Sequence, residues 1–162
     1  MIQTNEIKKI DSVVLANYIL KHYGPMSHLK LQKLLFYCDA YHLAYFDEEL
    51  IEDKFEAWVH GPVSRKVFNE LRGQAVLYSD VAYSEKEGMD VDADFGRLTT
   101  DQQTLLNDVL AQLSTWTGLE LEKATHNERP WQIARVGYDD ASPCHELISK
   151  KEMAAFYKRD LH

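Results

Sequence analysis

The chain has 162 residues, of which 45% are hydrophobic and 27% are charged, and its formal net charge is −8. A chain of this length can bury a substantial core, and its composition excludes disordered, collagen-like and coiled-coil proteins. The acidic balance disfavours nucleic acid as a partner of this chain alone, because affinity for phosphate backbones comes from Lys and Arg. We expect one domain that spans residues 1–162.

The N-terminus and the cysteines indicate the compartment. The first residues lack the charged and apolar regions of a signal peptide, and no apolar run approaches the roughly 20 residues needed to cross a bilayer. Cys38 and Cys144 form no C-x-x-C pattern and fit a reducing environment. We therefore expect a cytoplasmic protein that does not enter a membrane.

Two helices are predicted at the start of the chain. Asp11 has the residue type of an N-cap for a helix over 12–22, which stops at the following Gly-Pro pair. Ser27 begins a second helix that ends near Phe46, and a helix that is apolar on two sides belongs in the middle of a fold. One face carries Leu31, Leu34, Leu35, Cys38, His42 and Tyr45, and another carries Leu29, Phe36, Ala40 and Leu43.

A short strand and a third helix are predicted after an acidic turn at 47–54. Residues 55–59 are expected to pair with a strand around Leu50. Proline suits the first turn of a helix, so residues 62–72 predict a helix that Gly73 ends. Its expected inward residues are Val63, Val67, Phe68 and Leu71.

The second half of the chain begins with an irregular segment and continues as helices. Residues 79–98 are rich in Asp and Glu without a sustained period, and they predict a mobile acidic loop. Thr100 with Gln103 has the spacing of a capping box and predicts a helix through Trp116. Further helix starts are predicted at Thr117 with Glu120, at Pro130, and at Ser149 with Glu152.

These elements predict a mainly α (α+β) fold. We expect a compact bundle around a central buried helix, with a small antiparallel β-sheet or hairpin. Helices outnumber strands in the predicted order, and the single predicted strand pair is short. The second helix is the one that the others should surround.

The histidines raise the question of catalysis. His42, His60 and His126 could serve a metal-dependent hydrolase, but the chain has neither an H-E-x-x-H pattern nor paired C-x-x-C motifs. It also has no G-x-S-x-G turn and no glycine-rich phosphate loop. We therefore predict no catalytic residue, no metal and no cofactor, and the hydrolase is the least favoured alternative.

Two features point to binding instead. The segment His60-Gly61-Pro62-Val63, as a helix N-terminus, could receive a carboxylate or phosphate or be satisfied internally, and internal satisfaction is favoured. A cationic face could form with Lys33 on the polar side of the central helix. Such a face is solvated by default, and contact with a partner is the sharper alternative. Its members are Lys30, Lys33, Arg65 and Lys66.

Three runs of residues closely resemble the Panacea antitoxin domain, also described as the SocA-like or phage-associated-protein domain. Their order and separation agree with that family, and the likeness covers about residues 10–160. The runs are Leu29-Lys30-Leu31-Gln32-Lys33-Leu34-Leu35-Phe36-Tyr37, Glu56-Ala57-Trp58-Val59-His60-Gly61-Pro62-Val63 and Thr125-His126-Asn127-Glu128-Arg129-Pro130-Trp131.

The resemblance implies a bacterial or phage-borne antitoxin that is not an enzyme. Its partner would be a cognate protein toxin, which it would neutralise by direct complex formation. Delivery of the toxin to a ClpXP-type protease stays open as an alternative, and so does a homo-oligomer. A fused DNA-binding domain is not expected, because only about ten residues precede the first helix.

The resemblance also sorts the candidate residues into two groups. Contacts with the partner are expected from the exposed members of Lys33, Tyr37, Arg65 and Lys66. The remaining motif residues are expected to be structural, and they are Leu31, Leu34, Trp58, His60, Gly61, Pro62, Val63, His126, Pro130 and Trp131.

Overall fold

The structure is a computed structural model that describes residues 6–71 and 77–159. These residues form eight α-helices and two small antiparallel sheets of two strands each, so the predicted mainly α fold class is confirmed. The helices are α1 (Ser12–Tyr23), α2 (His28–Phe46), α3 (Arg65–Leu71), α4 (Val91–Gly96), α5 (Thr100–Leu113), α6 (Gly118–His126), α7 (Arg129–Ala134) and α8 (Lys150–Lys158). The strands are β1 (Met26–Ser27), β2 (Phe55–Trp58), β3 (Gly61–Ser64) and β4 (Asp80–Val81).

Helix α2 is the central element, as its apolar faces predict. It packs against α1, α3, α5, α6 and α8. Polar side chains on this helix, among them Asp39 and His42, are buried together with the apolar ones. Tyr45 is an exception to the predicted inward face, because it is 58% exposed in the last turn of the helix.

Side-chain caps begin four of the eight helices in the described residues where the sequence predicts them. The Asp11 carboxylate accepts hydrogen bonds from the first turn of α1, and Ser27 caps α2 in the same way. Thr117 forms a reciprocal capping box in α6, and the Ser149 hydroxyl caps α8. Local hydrogen bonds of this kind satisfy backbone N–H groups that no helical carbonyl reaches, so they can be predicted from sequence.

The prediction for α5 is displaced by one residue. Thr99 and Gln102 form its capping box, rather than Thr100 and Gln103, and the helix ends at Leu113 rather than at Trp116. The Gln102 side chain is fully buried and also donates to the Lys8 carbonyl. This tertiary contact explains why Gln102 supplies the box.

The segment around Gly61 is a β-hairpin and not a helix start. Strand β2 pairs with β3, so the predictions of a partner strand around Leu50 and of a helix from Pro62 are wrong. Gly61 has a φ of 104°, which turns the chain back on itself. The Leu50 N–H instead donates to the Asp39 carboxylate on α2. Helix α3 begins only at Arg65, and the predicted stop at Gly73 lies outside the described residues.

The acidic segment 79–98 contains regular structure, so its prediction as a loop without secondary structure is wrong. Strand β4 pairs with β1, and α4 packs against α1. The Phe95 ring stacks on Tyr18 with ring centroids 3.9 Å apart. A few buried apolar side chains anchor a segment that is otherwise charged, and they are Val81, Val91, Phe95 and Leu98.

No helix in the described part of the chain is both long enough and apolar enough to cross a bilayer.

Candidate functional site

The second and third of the resembling runs meet at the turn of the β2–β3 hairpin. The hairpin carries Trp58, His60 and Gly61. Helix α6 packs against β3, and α7 reaches the hairpin through Trp131. Helix α2 packs against β3. Only the tertiary structure brings these two runs together, because more than 60 residues separate them in the chain.

Lys33 lies beneath the hairpin turn and is completely buried, so its predicted place on the polar side of α2 is wrong. Its Nζ donates a 3.0 Å hydrogen bond to the Pro62 carbonyl oxygen. Burial lowers the pKa of Lys33 to about 7, and the negative charge of Glu122 opposes that shift only in part. The buried amine is therefore close to the point where it becomes neutral at physiological pH.

Gly61 leaves the space that Lys33 occupies. A Cβ atom at this position would lie 2.4 Å from Lys33 Cε and 3.0 Å from the Thr125 hydroxyl oxygen. The positive φ of Gly61 disfavours an L side chain as well. Both constraints make glycine the residue that fits this turn.

Trp131 joins the hairpin to α7. Its indole Nε1 donates a 2.9 Å hydrogen bond to the Trp58 carbonyl oxygen, and its ring stacks on His126 with centroids 4.2 Å apart. Burial is the main cause that lowers the pKa of His126. Pro130 stands in the first turn of α7, as predicted.

Arg135 is an organising residue that the sequence did not reveal. It is buried, and its guanidinium donates to the Ala57 carbonyl at 2.7 Å and to the Ser142 carbonyl at 2.5 Å. The same group lies 5.0 Å from the centroid of the Trp131 ring. Arg135 thereby fixes the loop after α7 against the hairpin, and no local sequence pattern announces such a role.

Two adjoining cavities lie along the hairpin turn, and we call them together the hairpin cleft. Their volumes are about 390 and 380 Å³, and they share Val59, His60 and Ala141. The lining of the first is mostly apolar, and the second, called the polar half below, has the larger polar share although more of its lining is apolar. The first is further lined by Trp58, Pro143, Cys144 and His145, and the second by Glu122, His126, Asn127, Trp131, Gln132 and Asp140.

The polar half of the hairpin cleft contains unused hydrogen-bond acceptors. Glu122 Oε2 lies 3.2 Å from His60 Nδ1, which is also 2.9 Å from the Tyr78 hydroxyl. Glu122 Oε1 and His126 Nε2 are shielded from solvent and have no hydrogen-bond partner among the described residues. Glu122 was missed in the sequence, although its i, i+4 spacing to His126 places both on one side of α6.

Tyr37 is also buried, so it offers no exposed contact in the structure. Its hydroxyl donates to Glu128 Oε1 at 2.7 Å, and the Tyr157 hydroxyl donates to the same oxygen at 2.6 Å. Burial is the main cause that raises the pKa of both tyrosines. The three side chains tie α2, the start of α7 and α8 together.

Arg65 and Lys66 are the two predicted partner contacts that the structure exposes. The Arg65 guanidinium makes a two-pronged ion pair with Glu56 at 2.8 and 2.9 Å and lies over the Trp58 ring. This pairing is the main cause that lowers the pKa of Glu56 to about 2. Lys66 pairs with the Asp11 carboxylate at 2.9 Å. Their role in binding a partner stays a prediction.

The three histidines proposed for a metal-dependent hydrolase do not form one site. His42 contacts the Glu48 carbonyl and the Gln102 side chain, whereas His60 and His126 line the hairpin cleft. Within residues 6–71 and 77–159, no group of three or more His, Cys, Asp or Glu side chains is arranged to hold a metal ion. Cys38 is buried, and desolvation raises the pKa of its thiol.

Comparisons with known proteins identify the family. A family model described as "Antitoxin SocA-like, Panacea domain" matches residues 31–132, which include all of the hairpin and eight of the thirteen residues that line the cleft. Comparison with curated proteins and with solved structures gives no match. The match to the family model covers more than half of the sequence, and the chain therefore belongs to the SocA-like, Panacea-domain antitoxin family.

Proposed function

We propose that this protein is the antitoxin of a toxin–antitoxin module and neutralises a cognate protein toxin by forming a direct complex with it. Membership of the antitoxin family is the observation that carries this proposal. The toxin would be a cytoplasmic protein encoded beside this chain. Neutralisation requires a complementary surface and no chemical step by the antitoxin.

The arrangement of the motif residues supports a binding role. Leu31, Leu34 and Val63 are completely buried, and Trp131 is 4% exposed. Such residues hold the scaffold and the hairpin in place, so the specificity for a toxin would come from side chains around them. The thiol of Cys38 is a poor candidate for a nucleophile, because burial disfavours its thiolate form.

Arg65 is the exposed residue that we expect to contact the toxin. Its Nη2 atom lies 3.0 Å from His145 Nδ1, and its guanidinium lies over Trp58, so it stands at the rim of the hairpin cleft. Arginine and tryptophan are enriched among the residues that dominate binding energy at protein interfaces. The pair with Glu56 holds the guanidinium in one orientation before a partner arrives.

Growth rescue tests the proposal. The protein encoded by the neighbouring gene is expressed in a bacterial host with and without this chain, and the two proteins are co-purified. We expect growth arrest by the neighbour alone, rescue by co-expression, and a stoichiometric complex. A neighbour that is harmless, or that remains toxic despite abundant folded antitoxin, would contradict the proposal.

A matched pair of variants locates the contact surface. Arg65→Ala should weaken rescue and binding, whereas Lys151→Ala, which changes an exposed cation on α8, should leave both unchanged. Both variants are first checked by thermal unfolding, so that loss of folded protein is not mistaken for loss of contact. Equal binding by the two variants would remove Arg65 from the interface.

The proteolytic alternative predicts a different host requirement. Direct capture rescues growth equally in hosts with and without ClpXP. Delivery of the toxin for degradation rescues growth only when the protease is present, and the toxin level then falls. Rescue that depends on ClpXP would replace capture by delivery as the function.

A further inference from the structure

We propose that the hairpin cleft is a binding site for an arginine side chain of the protein partner, with Glu122 and His126 as the acceptors of its guanidinium hydrogen bonds. This inference rests on the proposed function for the identity of the partner.

Two side chains of α6 supply the acceptors. Glu122 Oε1 and His126 Nε2 lie one helical turn apart on α6, and both side chains line the polar half of the cleft. A neutral imidazole has one acceptor nitrogen, and with its proton on Nδ1 the His126 ring offers the unpartnered Nε2 as an acceptor. Buried polar atoms are normally paired, so these two unpaired atoms mark a place for a donor from outside. Because both atoms are shielded from solvent, the guanidinium must displace the side chains that cover them.

The charge of the site selects a cation. Glu122 brings a carboxylate whose side chain is 16% exposed, and Asp140 adds a second carboxylate to the same lining. Lys33 does not form a direct ion pair with Glu122, because its amine donates to the Pro62 carbonyl instead. Phosphate groups of a nucleic acid would be repelled by the two carboxylates, whereas a cation would be attracted.

The shape of the site favours arginine over lysine. A guanidinium presents several N–H donors in a planar fork, which can reach two acceptors at once, whereas an ammonium is a compact point charge. The adjoining half of the cleft offers Trp58 and Pro143 to the aliphatic stem and to a neighbouring apolar side chain. The volumes of about 390 and 380 Å³ leave room for such a pair of side chains.

Synthetic peptides test the site without the toxin. The probe is an acetylated and amidated tetrapeptide, Ala-Leu-Arg-Ala, and its matched control carries citrulline, which has nearly the shape of arginine without the charge. Binding to the full-length, isotope-labelled protein is followed by NMR. We expect shifts in the amides of 121–127 and 141, and about tenfold tighter binding of the arginine peptide, since charge-assisted hydrogen bonds exceed neutral ones.

Variants connect the discrimination to the named acceptors. Glu122→Gln should reduce the tenfold preference to about twofold or less, and His126→Phe, which keeps an aromatic ring against Trp131, should weaken it. Glu87→Gln removes one exposed negative charge outside the lining of the cleft and should leave the preference for the arginine peptide unchanged. If Glu122→Gln does not fold, Asp140→Asn at the exposed side of the cleft should still lower the preference.

Several results would overturn the inference. Equal affinity for the arginine and citrulline peptides would show that the cleft does not select a guanidinium, and shifts confined to another surface would place the binding elsewhere. Shifts that depend on protein concentration without peptide would assign the cleft to a second copy of this chain. If the protein rescues growth but its cleft does not distinguish the two peptides, only this inference is overturned. If the cleft binds the arginine peptide selectively but the protein does not rescue growth, only the antitoxin function is overturned.

Discussion

The amine of Lys33 donates a hydrogen bond of 3.0 Å to the carbonyl oxygen of Pro62, which joins the second turn of the buried helix α2 to strand β3. The contact is possible because Gly61 has no side chain where the lysine stem passes. Three residues of two separate sequence runs therefore act together. They fix the hairpin, and with it one wall of the hairpin cleft.

Gly61→Ala should destabilise the protein by about 2–4 kcal/mol, because the positive φ costs about 1–2 kcal/mol and displacement of the buried Lys33 stem adds an overpacking cost. Chemical denaturation measures the difference. Gly88→Ala is the matched control, since Gly88 also has a positive φ but no atom lies near its would-be Cβ. Equal losses in the two variants would show that the Lys33 contact contributes nothing.

Lys33→Met should change how stability depends on pH. The folded state lowers the pKa of Lys33 to about 7 from a value of 10.5, so the unfolded chain binds more protons between these values. The wild-type free energy of unfolding should therefore rise by about 2 kcal/mol from pH 7 to pH 9, relative to the variant. Denaturant titrations of both proteins at pH 7, 8 and 9 measure this difference. Parallel pH profiles would refute a lysine with a lowered pKa.

Asp39→Asn should cost about 3 kcal/mol, because it removes the charge from a buried pair. Asp39 Oδ2 lies 2.5 Å from Lys150 Nζ, and the Asp39 carboxyl is completely buried while accepting from the Leu50 N–H. The control is Asp47→Asn, which breaks an exposed pair with Lys158 and should cost less than about 1 kcal/mol. Similar midpoints of denaturation for the two variants would contradict the distinction.

Trp131→Phe should destabilise the protein by about 1–3 kcal/mol, since the Trp58 carbonyl loses its indole donor while an aromatic ring remains. Trp116→Phe changes a tryptophan that is 41% exposed and should leave the melting temperature nearly unchanged. The arginine-peptide titration provides a second measurement. If folded Trp131→Phe binds the peptide as wild type does, Trp131 supports the fold and not the cleft.

The starts of helices and the central position of α2 were determined by the sequence itself. Asp11, Ser27, Thr117 and Ser149 cap helices through hydrogen bonds to residues two or three positions away, so their effect can be predicted locally. The apolar faces of α2 similarly predict that the helix is buried, but they do not predict which elements pack against it. The three motif runs identified the family on the same basis, as patterns within the chain.

Only the tertiary structure decided the strand pairing, the burial of Lys33 and the contents of the hairpin cleft. Pro62 fits a helix start by local preference, yet pairing with Ala57 and the turn at Gly61 place it in a strand. Lys33 has a polar side chain, but the hairpin covers it and supplies its hydrogen-bond acceptor. Glu122 and Arg135 meet the hairpin across more than 60 residues of chain. Such contacts depend on packing between distant segments, which local preference does not encode.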